Sequence, residues 1–142
     1  RRSGSGGGVG VYIKQDVTYR RRYDLEHEDI ECIWIEVLFL KSKGIMIGNI
    51  YRPPDTSKYS DSDFNDKLDD VLNAVSDEKK EILLLGDLNC NFLEFACKTQ
   101  LKQVFSIHGL KQTIQNATRI IKSSASLIDI VLSSNPERII KS

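Results

Sequence analysis

The chain has 142 residues, 40% hydrophobic and 28% charged, with 20 basic and 20 acidic side chains. This length and composition fit one globular domain with a sizeable core, and they exclude intrinsic disorder. A net charge of zero excludes a strong whole-molecule attraction to nucleic acid, although local basic patches can still bind it. No apolar run approaches the roughly 20 residues of a membrane-spanning helix, and the first residues show no hydrophobic segment of signal-peptide type.

The chain has three cysteines, Cys32, Cys90 and Cys97, and none of them belongs to a CxxC pair. An odd number at this spacing argues against both a disulfide framework and a zinc site. It fits a reducing compartment, where thiols stay free.

The N-terminal region combines a glycine-rich start with a first strand pattern. Residues 1–8 contain only Arg, Ser and Gly, which predicts a flexible segment. Residues 9–14 alternate between apolar and other side chains, as in a strand. Arg20, Arg21 and Arg22 follow in a polar connection, where a solvated surface run is the default and a phosphate-contacting patch is the alternative.

Two longer strand patterns come next. Residues 32–40 are apolar on both faces, which predicts a central strand covered on both sides. The polar residues 41–44 indicate a tight connection to a returning antiparallel strand over residues 45–51. Arg52-Pro53-Pro54 ends this strand, because proline cannot continue a ladder.

Two amphipathic helices are predicted. Residues 60–76 place a continuous apolar stripe on one face, formed by Phe64, Leu68, Val71, Leu72 and Val75. The second helix covers residues 95–108 and stops at Gly109. His108 lies on the apolar stripe of this helix, which favours a packed histidine over a catalytic one.

The stretch from Glu81 to Asn91 carries the first candidate chemistry. Its apolar residues 82–85 predict a strand buried on both faces, and Gly86 permits a sharp turn where the strand leaves the core. If the backbone stays extended there, the side chains of Asp87 and Asn89 point the same way. A carboxylate can take a proton from water or bind a metal, and an amide can donate and accept hydrogen bonds. An ordinary turn explains the same residues.

A last strand is predicted over residues 126–133, with Asp129 in its middle. Aspartate is depleted in strands, and a buried charge needs partners. Asp129 therefore either lies on a solvent-exposed edge of the sheet or has a function that requires a carboxylate at this position.

Several motifs now stand in one order: Gly-Gly-Gly-Val-Gly-Val-Tyr, Ile-Glu-Val, Gly-Asn-Ile-Tyr-Arg-Pro-Pro, Leu-Leu-Gly-Asp-Leu-Asn, and Thr-Arg followed by Ser-Leu-Ile-Asp-Ile-Val-Leu. This order resembles the endonuclease/exonuclease/phosphatase superfamily, and most of all the apurinic-type endonuclease domain of non-LTR (LINE-type) retrotransposon reverse transcriptases. The resemblance implies an α/β fold, a four-layer α/β sandwich of two packed mixed sheets flanked by helices. Residues 1–142 would form a single partial domain, incomplete at both ends.

The resemblance also implies roles for individual residues. Asp87 resembles the carboxylate that orients or deprotonates the attacking water, and Asn89 resembles its amide partner. Tyr51 is similar to the tyrosine that hydrogen-bonds the phosphate, and Asp129 to the aspartate that orients a catalytic histidine. Three further residues resemble phosphate- or network-contacting groups, namely Arg52, Thr118 and Ser126.

The implied activity is hydrolysis of DNA phosphodiester bonds with Mg²⁺ or Mn²⁺, which nicks a target site so that reverse transcription can start. The family's metal-binding glutamate and its Ser-Asp-His motif have no counterpart in the chain, so we expect an inactive fragment with doubtful metal binding. The implied partners are DNA and a reverse-transcriptase domain in the same polyprotein, and no membrane is expected as a partner. The implied location is inside the cell, in the nucleus. The alternatives are a phosphatase of the same superfamily and a non-catalytic remnant that binds nucleic acid or protein.

Overall fold

The structure is a computed structural model that describes residues 8–54 and 61–139, without the side chains of residue 61 and residues 95–99. Its helices are α1 (Asp61–Asp77) and α2 (Phe95–Ile107). Its strands are β1 (Tyr19–Arg21), β2 (Glu31–Val37), β3 (Ile45–Tyr51), β4 (Glu81–Asp87), β5 (Lys111–Gln112), β6 (Arg119–Ile121), β7 (Ser124–Ser126) and β8 (Asp129–Ser133). Single 3₁₀ turns cover Tyr23–Leu25 and Pro136–Arg138. Within these residues, neither helix has the length and apolar character needed to cross a bilayer.

Six strands form one mixed sheet in the order β1-β2-β3-β4-β8-β5, and β6 and β7 form a separate hairpin. Neighbours in the large sheet are antiparallel except for β3 and β4, which are parallel and joined by α1. Parallel neighbours need such a crossover connection. The expected α/β class is confirmed, and a helical layer on a mixed sheet with a second small sheet agrees with the expected sandwich.

The sheet packs one face against both helices, and we call it the helical face. In the four central strands β2, β3, β4 and β8 the residues on this face are buried, apart from the half-buried Gly86. One cross-strand row joins Trp34, Gly48, Leu84 and Leu132. The apolar stripe of α1 and the buried residues of α2 belong to the same core cluster. Gly48 has a steric role there, because a Cβ at this position would lie 2.6 Å from Cη2 of Trp34. The indole ring therefore fills the space that a side chain would need.

The opposite side of the sheet, which we call the open face, is apolar but only half-buried. It is formed by alternate residues of the four central strands, including Ile33, Ile47, Leu83, Leu85 and Val131. The central strands thus carry apolar residues on both faces, a pattern that is typical of a sheet covered on both sides. Among the residues described, the helices cover the other side only.

The first strand predicted from the sequence is wrong. Residues 9–14 form no regular secondary structure, and the edge strand is β1, which pairs with β2 further along the chain. Alternation describes a side-chain pattern, whereas a strand also needs a neighbour that accepts its backbone hydrogen bonds. The one side-chain contact from the sheet to this segment is made by Asn49 Nδ2, which donates to Gly10 O at 3.1 Å.

The end of β2, the connection that follows it and the last predicted strand also differ from the expectation. β2 ends at Val37, after which residues 38–40 are exposed and the polar connection runs to Gly44. The predicted last strand is split into β7 and β8 at residues 127–128. The helices begin and end within one residue of the expected bounds that the structure describes.

The arginine run is not a solvated surface run throughout. Arg22 is buried, and its guanidinium group pairs with Asp24, Glu36 and Glu78. Because three carboxylates already surround this buried group, the phosphate-contacting alternative loses this residue.

The expectation that the cysteines stay unpaired holds for Cys32 but is wrong for Cys90. Cys32 is free and buried, and burial raises the pKa of its thiol. Cys90 is disulfide-bonded. Spacing in the sequence carries no information about which cysteines approach each other in three dimensions.

Candidate active site

Three of the predicted site residues lie side by side in one cross-strand row. Tyr51 of β3 is in register with Asp87 of β4, and Asp87 is in register with Asp129 of β8. All three stand on the open face, because their neighbours Ile50 and Ile130 are buried on the helical face. All three are half-buried. Tyr51 and Asp87 end the parallel strands β3 and β4, and Asp129 begins the antiparallel strand β8. The three residues therefore meet at one end of the sheet.

Gly86 lets β3 and β4 approach each other next to this row. Its φ is 148°, and a Cβ would lie 1.8 Å from the carbonyl oxygen of Ile50. No L side chain fits that space or favours that conformation. The glycine thus fixes where the backbone of Asp87, the last residue of β4, lies relative to β3.

Asp87 and Asn89 are joined by a turn rather than by extended backbone. Asn89 has a left-handed φ of 46°, which asparagine adopts more readily than most residues. Its N–H donates to Oδ1 of Asp87 at 2.8 Å, and its Nδ2 donates to the carbonyl oxygen of Arg52 at 2.8 Å. The Arg52 N–H donates to the Asp87 carbonyl oxygen at 2.9 Å. The turn explanation and the functional one are thus compatible, because the turn holds the carboxylate.

Asp87 and Asp129 stand directly opposite each other on the neighbouring strands β4 and β8. The Leu88 N–H donates to the carbonyl oxygen of Ile128 at 3.1 Å, so the two aspartates form a non-hydrogen-bonded antiparallel pair. Cα atoms in such pairs are about 4.5 Å apart, and like charges opposite each other are destabilising. In residues 8–54 and 61–139, no cation forms an ion pair with either carboxylate. This geometry suits the binding of a cation.

The backbone on both sides of Asp129 is held by side chains from outside the strand. Thr118 Oγ1 accepts the N–H groups of Ile128 and Asp129, both at 3.3 Å. Gln112 Nε2 donates to the carbonyl oxygen of Asp129 at 3.3 Å, and its Oε1 accepts the N–H of Val131 at 2.8 Å. These groups all lie on the edge of β8 that faces β5.

Asn91 links the Asp87 turn to the same strand. Its Oδ1 accepts the N–H of Leu127 at 3.0 Å and that of Leu93 at 3.2 Å. Neither Asn91 nor Gln112 was among the predicted site residues. Asn91 had a detectable signal as the third polar residue of the Gly-Asp-Leu-Asn-Cys-Asn stretch, whereas nothing in the local sequence distinguishes Gln112.

The remaining predicted residues lie in different surroundings. The Arg52 side chain is buried, and its guanidinium carbon lies 5.3 Å above the ring of Phe64 in α1, on the helical face. Ser126 ends β7, and its carbonyl oxygen accepts the N–H of Thr118 at 2.9 Å. The structure thus brings together Tyr51, Asp87, Asn89 and Asp129, with Thr118 and Ser126 beside them, and it directs the Arg52 side chain elsewhere.

His108 is packed between the helices, as expected. Its Nε2 lies 2.7 Å from Oδ1 of Asp69, and its Nδ1 lies 3.2 Å from Oγ of Ser76. Its side chain is 3% exposed. It therefore ties α2 to α1 on the helical face, away from the aspartate row.

The β6–β7 hairpin projects from the same end of the molecule as the aspartates. Residues 122 and 123 form its two-residue turn, because Ile121 is in register with Ser124. Ile120 and Ile121 are 77% and 56% exposed, and the side chains of Arg119 and Lys122 are exposed as well. A ribbon with apolar and basic side chains in solvent is suited to contact another molecule.

The candidate cation ligands are Asp87 and Asp129, and the turn that follows Asp87 adds Asn89, whose N–H donates to the Asp87 carboxylate. The described part of the chain contains no group of three or more His, Cys, Asp or Glu residues placed to hold a metal. Mg²⁺ commonly uses only one or two carboxylates and completes its shell with water and substrate phosphate. The two aspartates fit that kind of partial site.

Comparison with known families decides the affiliation of the chain. A family model described as endonuclease-reverse transcriptase matches residues 45–142, a span that contains Tyr51, Asp87 and Asp129. The chain belongs to the endonuclease-reverse transcriptase family. The resemblance to the endonuclease/exonuclease/phosphatase superfamily is thereby confirmed. The search of curated proteins gave no match.

Solved structures similar to this family member agree on the fold. The endonuclease domain of TRAS1, a telomere-specific non-LTR retrotransposon, matches with a TM-score of 0.65 at 14% identity, over 82% of this chain and 54% of that one. A conserved protein of unknown function from Enterococcus faecalis matches with a TM-score of 0.51 at 15% identity, over 85% and 54%. Beta toxin from Staphylococcus aureus matches with a TM-score of 0.54 at 10% identity, over 74% and 43%. The chain thus spans about half the length of these structures.

Proposed function

We propose that this chain is part of a metal-dependent DNA endonuclease domain that hydrolyses one phosphodiester bond, as in target-site nicking by non-LTR retrotransposons. The observation that supports this most is the row of Tyr51, Asp87 and Asp129, in which two carboxylates face each other without a cation among the described residues. Such a pair costs free energy in the free protein, and a bound cation would remove that cost.

The chemistry follows from the groups at this end of the sheet. A phosphodiester is anionic, so the site needs positive charge, neutral donors and one positioned base. Asp87 orients the attacking water and accepts its proton, since the turn to Asn89 fixes one carboxylate oxygen and leaves the other available. The Tyr51 hydroxyl donates to a phosphate oxygen. A divalent ion, when bound at Asp87 and Asp129, supplies charge neutralisation for the phosphate.

The β6–β7 hairpin gives the same domain a means to engage duplex DNA. A two-stranded ribbon fits a DNA groove, and basic side chains contact phosphates while apolar ones insert between base steps. Arg119, Ile120 and Lys122 offer these side chains in solvent. Thr118 starts this hairpin and hydrogen-bonds the backbone of Asp129, so DNA contact and cleavage site are mechanically connected.

The activity belongs, in this proposal, to a complete domain of which the chain is a fragment. The TRAS1 domain is matched over 54% of its length, and the rest of such a domain would supply the glutamate and histidine that the motifs lack. The 142-residue chain alone is therefore expected to be inactive. The complete protein would also contain a reverse-transcriptase domain and act on nuclear DNA.

The test is nicking of supercoiled plasmid in the presence of Mg²⁺. The chain alone should give no nicking above background, whereas the same sequence completed at both ends with segments from a related element should nick. In the completed protein, Asp87→Asn should lower the rate by about 10²–10³. Asp70→Asn, an exposed aspartate on α1, is the matched control and should leave the rate unchanged. Nicking that survives Asp87→Asn would contradict the site, and nicking by the unextended chain would contradict the fragment proposal.

A further inference from the structure

A groove lies on the helical face, on the other side of the sheet from the aspartate row. One wall is α2, and the other is β5 with the residues that follow it. The groove has a volume of about 520 Å³, which is within the range of ligand-binding pockets. We call it the α2–β5 groove. Its floor consists of buried apolar residues, namely Phe92, Phe105, Leu110, Leu127 and Leu132.

The rim of the α2–β5 groove is basic. Lys102 of α2 and Lys111 of β5 stand on opposite walls, and both are exposed. None of the described residues that line the groove is acidic. In the described part of the chain, neither lysine forms an ion pair. An apolar floor between two uncompensated positive charges matches a ligand that is apolar in the middle and negative at its edges.

The β5 wall also offers backbone hydrogen bonds. β5 is an edge strand, since only β8 pairs with it. The Thr113 N–H donates to the carbonyl oxygen of Val131 at 2.9 Å, so the N–H and C=O groups of Gln112 and Ile114 point away from β8. An edge of this kind can accept an added strand, as in other peptide-binding domains where an edge strand and a helix enclose a groove.

We propose that the α2–β5 groove is a docking site for an extended acidic peptide segment of a partner protein. The segment adds to β5 as a further strand, places alternate apolar side chains on the floor at Phe105 and Leu132, and directs its carboxylates to Lys102 and Lys111. A nucleic-acid strand fits less well, because the buried floor carries no polar group for base edges.

This site is independent of the proposed nuclease activity. The groove and the aspartates lie on opposite faces of the sheet, so a docked segment leaves Asp87 and Asp129 accessible. Two elements are shared. In the loop after β4, Phe92 lines the groove while Asn91 holds the strand of Asp129, and in β5 Gln112 lines the groove and donates to the carbonyl oxygen of Asp129.

The experiment is fluorescence anisotropy on the full chain with a labelled seven-residue peptide in which Glu alternates with Leu or Phe. Three further peptides isolate the components: Lys in place of Glu, Ala in place of Leu and Phe, and N-methyl groups on alternate amides. We expect binding of the first peptide alone. Its addition should move the backbone amide NMR signals of residues 112–115.

Charge reversal on the protein separates the groove from the rest of the surface. Lys102→Glu with Lys111→Glu should weaken binding roughly tenfold or more, since two attractive rim contacts become repulsive. Lys41→Glu with Lys43→Glu makes the same change in net charge at two exposed lysines between β2 and β3, and it should change affinity by less than about twofold. Thermal melts of both variants check folding.

Several results would overturn the proposal. Equal loss of binding in the two double variants would show attraction to net charge only. Equal binding of the N-methylated peptide would exclude strand addition, and equal binding of the lysine peptide would exclude the basic rim as the determinant. Displacement of the peptide by a single-stranded oligonucleotide of equal charge, at equal concentration, would assign the groove to nucleic acid.

Discussion

At the scale of single residues, the facing carboxylates of Asp87 and Asp129 oppose folding. They occupy a non-hydrogen-bonded cross-strand pair, where side chains come closest, and no ion pair compensates them among the described residues. Proteins keep such unfavourable groups at sites where ligand binding uses them. Removing the charge of either aspartate is therefore expected to raise the free energy of unfolding while lowering activity.

We predict that Asp129→Asn stabilises the chain. The amide keeps the shape of the side chain and removes the repulsion from Asp87, which is worth about 0.5–1 kcal/mol at neutral pH. The gain should be measured by urea unfolding at pH 7. Asp70→Asn on the exposed surface of α1 is the control and should change the free energy of unfolding by less than about 0.5 kcal/mol. Destabilisation by Asp129→Asn would show that the carboxylate has a partner in the folded chain.

Gly86 gives a second prediction at this scale. A Cβ there meets the Ile50 carbonyl oxygen at 1.8 Å, and backbone cannot rotate away as a side chain would. Gly86→Ala should therefore cost at least about 3 kcal/mol of unfolding free energy, or prevent folding. Gly10→Ala is the matched control, because nothing lies within 4 Å of a Cβ at that position. A Gly86→Ala protein as stable as the control would mean that β3 and β4 are further apart than described.

The sequence indicated the candidate site residues that the structure brings together, but not the residues that hydrogen-bond the backbone around them. Asp87, Asn89 and Tyr51 stand next to strand ends with recognisable neighbours, so a local pattern was enough. Gln112 and Asn91 act through hydrogen bonds to the backbone of residues 127–131, and these depend on which strands become neighbours. Strand order is a property of the folded chain that no local window of sequence contains.

At the scale of elements, the two helices were predicted to within a residue at the ends that the structure describes, and the first strand was wrong. Helical periodicity reports on a segment that makes its own backbone hydrogen bonds. A strand depends on a partner, and residues 9–14 have none in the sheet. The arginine run shows the same limit, because Arg22 is buried by contacts with Glu36 and with Glu78, which is 56 positions away in the sequence.

The charged cluster around Glu36 connects β1, β2 and the end of α1. Glu36 is 3% exposed, and its carboxylate pairs with Arg20, Arg22 and Lys80. We predict that Glu36→Gln lowers the free energy of unfolding by about 2 kcal/mol, because the buried carboxylate loses its charge-assisted hydrogen bonds, while Arg22 and Lys80 keep their pairs with Glu78. Urea unfolding at pH 7 measures the change. Glu81→Gln, which breaks the more exposed pair with Arg138, should cost less than about 1 kcal/mol.

The same cluster predicts loss of stability in acid. Hydrogen bonds from Lys80 and Arg20 lower the pKa of Glu36, and hydrogen bonds from Arg22 and Lys80 lower the pKa of Glu78 from 4.5 to about 2. A carboxylate whose pKa is lower in the folded state contributes stability above its unfolded pKa and loses it as pH falls. Unfolding free energy should therefore decrease between about pH 4.5 and 2, and Glu36→Gln should flatten this decrease. An equal slope in both proteins would contradict the role of the cluster.

At the scale of the whole molecule, the two faces of the sheet have different surroundings. The helical face is buried under α1 and α2, with Trp34, Leu84 and Leu132 each at most 2% exposed. The open face carries equally apolar strands that remain half-buried. The row of Tyr51, Asp87 and Asp129 lies at the end of this open face, so whatever covers the face in solution also borders the candidate site.

The last prediction is that the isolated chain self-associates through the open face. Half-exposed Ile33, Ile47 and Leu83 form part of a contiguous apolar surface, and water contact with such a surface favours association. Sedimentation velocity should show a concentration-dependent shift from monomer to larger species. Ile47→Lys places a charge in the middle of the face and should weaken association about tenfold or more. Ile120→Lys on the hairpin, where the side chain is 77% exposed, removes a different apolar group and should leave association unchanged. A monodisperse monomer at all concentrations would show that the open face is covered within the chain, and association lost only in the Ile120→Lys protein would assign it to the hairpin.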